Sequence, residues 1–300
     1  MSSSISQTGE AKDIANIMPE PGNRIPRIIH YCWFGGKPIP EELQKCLDTW
    51  EKLRGFTIMR WDESNCSFDE NEFVSTTFRD KKYGFIGDYY RIKAIYEYGG
   101  IYLDTDVKIH RSFDNLLKHK AFLSFIFDCS VGTAIIGGEK GNPFFKGIMD
   151  MYDNSVILPG VADKGDSIFH FRDQKLYVHA QDAVSNYYYT YYILKTYPEF
   201  ILNNTYQDLG DFVIYPKELF EIGTLSGRHY AIHLNAGMWL DKEEKDTLHS
   251  RIKELLRSNE FLFDKFQVVV RKRRYKRLNK NIQFYEYSMA QQMGKELPEL

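Results

Sequence analysis

The sequence predicts an α/β fold, on three observations. Short apolar runs that read as buried strands alternate with longer segments of helical periodicity, paired glycines punctuate them, and a strand at 101–103 runs directly into two aspartates. The 300 residues, 43% hydrophobic and 15% aromatic, suffice for one sizeable core with a small helical addition, and two full domains would be a squeeze. The first strand is read at 27–33, an apolar run with Pro26 before it and Gly35-Gly36 after. Pro40, then Leu43, Leu47 and Trp50 at helical spacing, then Gly55, describe a helix over 40–54. A strand over 56–61 completes a β-α-β opening, which predicts parallel pairing.

Residues 86–98 carry the next helix, stopped at Gly99-Gly100 by a glycine expected in the left-handed conformation. Ile101-Tyr102-Leu103 then forms a strand whose carboxyl end holds Asp104-Thr105-Asp106, the end at which open α/β sheets place their ligands. Further strands are expected at 121–127, 132–137, 211–215 and 230–233, and helices at 143–153, 181–195 and from about 243 onward. Tyr187-Tyr188-Tyr189-Thr190-Tyr191-Tyr192 reads as the mixed surface and core faces of one helix. Residues 1–23 read as a disordered leader, 24–240 as the main domain and 241–300 as a helical extension with a basic cluster.

A net charge of −2 provides no global field for a nucleic-acid partner. The one local exception is the basic run at 271–277, which lacks any nucleic-acid recognition motif and suits peripheral contact with anionic lipid, or a plain solvated helix face. Cys32, Cys46, Cys66 and Cys129 lack metal-site spacing and suit reduced thiols. With no apolar leader and no window of ~18 apolar residues, the expectation is a cytoplasmic protein, either soluble or peripheral on the inner face of the membrane.

Paired carboxylates at a strand end suit a hard divalent ion, Mn²⁺ or Mg²⁺, which stabilises charge growing on a departing diphosphate. An Asp-x-Asp alone is common in solvated loops. Here it closes the string Gly87-Asp88-Tyr89-Tyr90-Arg91 … Tyr98-Gly99-Gly100-Ile101-Tyr102-Leu103-Asp104-Thr105-Asp106, with Asp88 and Arg91 three apart on one helical face. That register of D-x-x-R, G-G-x-Y and D-x-D resembles glycosyltransferase family 32, the DXD-motif sugar transferases that include initiating α-mannosyltransferases and capsule or lipopolysaccharide enzymes. It is also similar to the core of the large glucosylating toxins. The opening at 25–33, and Ile214-Tyr215-Pro216 followed by His233 and Trp239, extend the resemblance over roughly residues 24 to 240.

The resemblance implies a GT-A type fold, a nucleotide-sugar donor, a divalent ion and retention of anomeric configuration. It implies Asp88 and Arg91 at the donor sugar, with Trp33, Tyr102, Asp104 and Trp239 at the nucleotide sugar. Asp104, Asp106 and His233 would take the metal. Leu234 after His233 and Met238 before Trp239 depart from the family's usual His-His and Ser-Trp, and Asn235 is an alternative polar contact. Gln181 and Asp182 are the candidates for a nucleophile or polar pair near the anomeric carbon, although front-face attack without a protein nucleophile is the expected mechanism. The loop at 139–143 resembles one near the sugar and acceptor, and aperiodic 160–180 is the other expected acceptor loop.

The resulting expectation is a UDP-galactose or UDP-glucose transferase that acts on a glycan or lipid-linked acceptor in capsule, lipopolysaccharide or exopolysaccharide synthesis. A transferase-like toxin or effector that modifies a protein and a non-catalytic sugar-binding module stay open, whereas a glycosidase using the same aspartates needs carboxylates ~5–9 Å apart, which residues two apart at one strand end do not naturally give.

Overall fold

The computed structural model describes residues 14–160, 168–179, 183–235 and 260–300. Strand β1 (Ile28–Cys32) is followed by helix α1 (Glu41–Asp48), and β2 (Thr57–Trp61) returns parallel to β1, as the opening predicts. The helix expected over 40–54 is shorter. It tightens to a 3-10 turn at Thr49–Lys52, where the Thr49 hydroxyl donates back to the Cys46 carbonyl at 2.6 Å. Helix α2 (Glu72–Arg79) was not expected from the periodicity; Asn71 caps it, accepting from the Val74 N–H at 2.9 Å.

Helix α3 (Tyr83–Tyr98) leads into β3 (Gly100–Leu103). Gly99 has φ +70° but ψ 179°, so the expected left-handed cap is instead an extended turn with positive φ. Steric crowding explains both glycines. A Cβ on Gly99 would lie 2.9 Å from the Lys140 amide nitrogen, and one on Gly100, at φ +113°, 2.7 Å from the Ile28 carbonyl oxygen. Without side chains, α3 turns tightly enough to lay β3 beside β1.

Then come β4 (Val107–Ile109), β5 (Ala121–Phe127), β6 (Ser130–Gly138) and α4 (Pro143–Asp153), followed by β7 (Ser155–Leu158), β8 (Phe169–Arg172) and β9 (Lys175–His179). Helix α5 (Ser185–Thr196), β10 (Gln207–Asp208), β11 (Val213–Tyr215), β12 (Ala231–His233), α6 (Glu260–Leu278) and α7 (Tyr285–Met293) complete the order. The central sheet runs β10-β11-β5-β6-β3-β1-β2. It is mixed: β3 and β5 both pair antiparallel with β6, while β11 with β5 and β1 with both its neighbours are parallel.

Alternation along β3 separates the two faces. Tyr102 belongs to the core cluster that holds Ile92 and Ile95 of α3, Phe144 and Ile148 of α4, and Tyr189 of α5. Ile101 and Leu103 point the other way, onto Leu47 of α1, Trp50 and Phe220. In α5, Tyr188, Tyr189, Thr190 and Tyr191 are all buried, so its tyrosine run is core on most sides and not the half-exposed face expected.

Two expectations change here. Within 160–180, the described part is a hairpin: β8 and β9 pair antiparallel, and β9 pairs parallel with β7. Its two-residue turn, Asp173 and Gln174, has φ 50° and 64°, the twist that suits a tight hairpin. Of the leader expected over 1–23, residues 14–23 pack on the domain: Ile14 is buried with Met59, Trp61 and Ala94, and Glu20 pairs with Arg27 at 3.0 Å. All four cysteines are free, and no helix among the described residues is long and apolar enough to cross a membrane.

Candidate metal and nucleotide-sugar site

The site is built at the carboxyl end of β3. Tyr102, the third residue of that strand, is buried on the helix face and donates its hydroxyl to Asp104 Oδ1 at 2.9 Å. It therefore orients Asp104 from beneath. Arg91, two turns into α3, lies with its guanidinium 4.8 Å over the Tyr102 ring. Its Nη2 reaches Asp88 Oδ1 at 2.6 Å and Asp104 Oδ1 at 3.4 Å, and Nη1 donates to the Thr133 carbonyl at 2.8 Å. Asp88 and Arg91 thus meet Asp104 as expected, but with their charges turned mostly on one another: they are only 8% and 6% exposed.

Burial raises the Asp88 carboxyl to about 6; Arg91 and hydrogen bonds from Ser185 oppose that rise and Asp104 adds to it. Thr133 and Ser185, which the sequence reading passed over, support the pair: their hydroxyls lie 2.8 Å apart, and Thr133 also donates to Asn186 at 2.9 Å. A hydroxyl residue gives no signal in isolation, and these two come together only where β6 meets the start of α5.

Asp106 lies between β3 and β4, and its partner arrives from far along the chain. Strand β12 pairs antiparallel with β4, setting His233 opposite Val107, and the Leu234 N–H donates to the Asp106 carbonyl at 3.0 Å. His233 Nε2 consequently lies 3.2 Å from Asp106 Oδ1. Asp104, Asp106 and His233 each offer a ligand atom, all within 4.8 Å of one another. Burial disfavours a charged imidazole, but Asp106 and Glu221 outweigh it and hold the His233 pKa well above its ordinary value. Two carboxylates and an imidazole gathered within 4.8 Å are a donor set that fits Mn²⁺ or Mg²⁺ once the ion takes the place of the imidazole proton.

Behind His233 stands Glu221, also missed in the sequence. It is wholly buried, its Oε2 2.8 Å from His233 Nδ1. A lone acid in the apolar run Leu219-Phe220-Glu221-Ile222 was the available signal. Asn235, the alternative polar contact, has φ 50° and turns its amide to the Tyr275 hydroxyl of α6.

Trp33 follows β1 at the same end of the sheet as Asp104; its indole N–H donates to the Lys37 carbonyl at 2.6 Å and its ring is partly buried. Gln181, Asp182 and Trp239 lie outside the described residues. The loop at 139–143 is placed elsewhere than expected. Because β6 runs antiparallel to β3, Gly138 sits opposite Gly100 and the loop leaves at the amino end of β3, away from Asp104. There it is structural: Glu139 pairs with Arg24 at 2.7 Å and Asn142 caps α4, accepting from Phe144 N–H at 3.0 Å.

Residues 40–123, which contain the Asp88-to-Asp106 string, match the family described as the glycosyltransferase sugar-binding region containing DXD motif. The chain is 34% identical over 133 residues to the mannosyl phosphorylinositol ceramide synthase CSH1 of Saccharomyces cerevisiae, covering 42% of this chain and 34% of that protein. It is 31% identical over 128 residues to the inositol phosphoceramide mannosyltransferase 3 of Schizosaccharomyces pombe, covering 40% and 35%. The chain thus spans about a third of the length of these two curated relatives. Among solved structures, the PaToxG glycosyltransferase overlaps 62% of this chain and 75% of its own, with a TM-score of 0.44 and 16% identity. With a central mixed sheet and the D-x-D region at a strand end, the fold is α/β and GT-A-like.

Proposed function

We propose that this protein is a metal-dependent, retaining glycosyltransferase that moves a hexose from a nucleotide-sugar donor to a lipid-linked or glycan acceptor. The observation that carries the reading is the convergence of Asp104, Asp106 and His233 beside the Asp88–Arg91 pair at the end of β3. A divalent ion held there would supply Lewis-acid stabilisation of the leaving diphosphate. The protein's own part is to hold the three donors ready: Tyr102 and Arg91 fix Asp104, the β4–β12 register fixes His233, and the Asp106 carbonyl is tied to Leu234. Arg91, with its donors already engaged, acts as a positioning residue for the carboxylates. Asp88 offers the remaining acceptor capacity toward sugar hydroxyls.

The expected UDP-galactose or UDP-glucose rests on the sequence resemblance. The two yeast relatives are named for mannose and an inositol-phosphate lipid instead, so GDP-mannose belongs beside the UDP-hexoses among candidate donors, and a phosphate-bearing lipid beside a capsule or lipopolysaccharide glycan among acceptors. Incubation with a panel of UDP- and GDP-sugars should release free sugar from one donor with Mn²⁺ and stop on chelation. Failure to hydrolyse or transfer from any donor with Mn²⁺ or Mg²⁺ would sink the proposal.

Contact with an anionic lipid surface belongs to the same reading. On α6, Val268 and Tyr275 are buried while Lys272, Arg273, Arg274, Lys276 and Arg277 are exposed. The Tyr275 hydroxyl meets Asn235, two residues past His233, so the basic face lies on the helix that backs the site. At ~1 kcal/mol per basic residue near an anionic surface, the protein should co-sediment with phosphatidylserine vesicles and not with phosphatidylcholine vesicles. Equal partition between the two would remove this part of the proposal.

A further inference from the structure

Glu221 is the buried acid that the site chemistry so far leaves unused. It grips His233 twice. Its side-chain Oε2 lies 2.8 Å from the ring Nδ1, and its main-chain carbonyl accepts from the His233 N–H at 3.1 Å. The other carboxylate oxygen, Oε1, is buried and has no hydrogen-bond partner among the described residues. It points at Gly132 in β6, where a Cβ would stand 2.9 Å away, so a side-chain-free position on the neighbouring strand leaves the room this oxygen occupies. An acid so enclosed, with an imidazole as its hydrogen-bond partner, loses hydration that a neutral residue of the same size would not forfeit. Such an arrangement is poor as a device for stability alone and reasonable as one for orientation.

The ring has two nitrogens, and a carboxylate at one decides what the other can do. With Glu221 accepting from Nδ1–H, the proton is kept on that side, and Nε2, 3.2 Å from Asp106 Oδ1 and beside the cluster with Asp104, is the nitrogen left to give up its proton to Asp106 and turn a lone pair on a cation. We propose that Glu221 is a positioning residue that fixes His233 in the Nδ1–H tautomer, with Nε2 aimed at the cation position, and that Gly132 keeps the space for it. The inference rests on reading Asp104, Asp106 and His233 as a divalent-cation site. Glu221 does not touch the cation; it sets the direction and basicity of the ligand that does.

The test uses the full chain and Mn²⁺ alone, with free Mn²⁺ followed by its electron paramagnetic resonance signal. Glu221→Gln keeps size and removes charge, and is expected to weaken Mn²⁺ binding about 10-fold or more. Gly132→Ala, which crowds Oε1 without touching His233, is expected to weaken it in the same direction. Nitrogen NMR of the wild-type histidines with Mg²⁺ should show His233 protonated at Nδ1 only, with that proton shifted far downfield by its bond to the Glu221 carboxylate, a signature that an acid not bonded to the ring would not impose. Wild-type Mn²⁺ affinity in a folded Glu221→Gln, or an Nε2–H tautomer in the Mg²⁺-loaded wild type, overturns the role of Glu221; the NMR result decides even if the variant does not fold. If Asp106→Asn also binds Mn²⁺ like the wild type, the cation site itself is wrong and the inference falls with it.

Discussion

Asp106→Asn is expected to lower turnover at least ~100-fold while the protein stays folded, because it removes a full negative charge from the cation cluster and almost no volume. Asp106 is a short residue between two strands, and its main-chain carbonyl, which holds Leu234, is untouched by the change. At the fold level the variant weakens the contact to His233, at 3.2 Å, by on the order of 1 kcal/mol. The loss should therefore appear in kcat and in Mn²⁺ dependence, with circular dichroism and melting close to the wild type. Near-wild-type turnover in this variant would count against the metal-assisted mechanism as a whole.

Arg91→Met should have the opposite signature, with stability and activity falling together. The guanidinium is buried and is the shared cation of Asp88 and Asp104, besides its bond to the Thr133 carbonyl. Methionine fills much of the volume but leaves two carboxylates facing each other without a cation, which costs roughly 3–5 kcal/mol, a fall in melting temperature on the order of 10 °C. The pH dependence identifies the cause. Asp88 already has its pKa raised to about 6 by burial, so the native state favours its proton, and the associated stability is present at low pH and lost as pH rises toward 6. Without Arg91 the carboxyl is pushed higher still. The deficit of the variant against the wild type should therefore be smaller at pH 5 than at pH 8. Asp88→Asn in the Arg91→Met background should recover part of it in a double-mutant cycle. A deficit independent of pH, with no recovery, would mean that lost packing and not uncompensated charge sets the cost.

Much of the site was readable as a string because its parts lie close in sequence. The spacing of Asp88 and Arg91 follows from one helix, the abrupt stop from Gly99-Gly100, and the placement of Asp104 and Asp106 from a strand too short to carry them further. The hairpin at 169–179 is weakly signalled in the sequence, although Phe169, Phe171, Leu176 and Val178 alternate around two polar residues. Its turn uses Asp173-Gln174, where a glycine would have given the signal, and tolerates positive φ at both.

By itself, then, the sequence determined the strand-and-helix alternation and the acidic pair at a strand end, since hydrophobic period and turn residues act on the local backbone; His233 entered as a candidate partner only through the resemblance. Only the tertiary structure decided which distant segments meet. The antiparallel course of β6 sent the 139–143 loop to the wrong end for the chemistry, and the β4–β12 register brought His233 to Asp106 with Glu221 behind it. Strand direction and pairing register are chosen by which side chains can be buried together across the whole sheet, and a single segment does not carry that choice in its own residues.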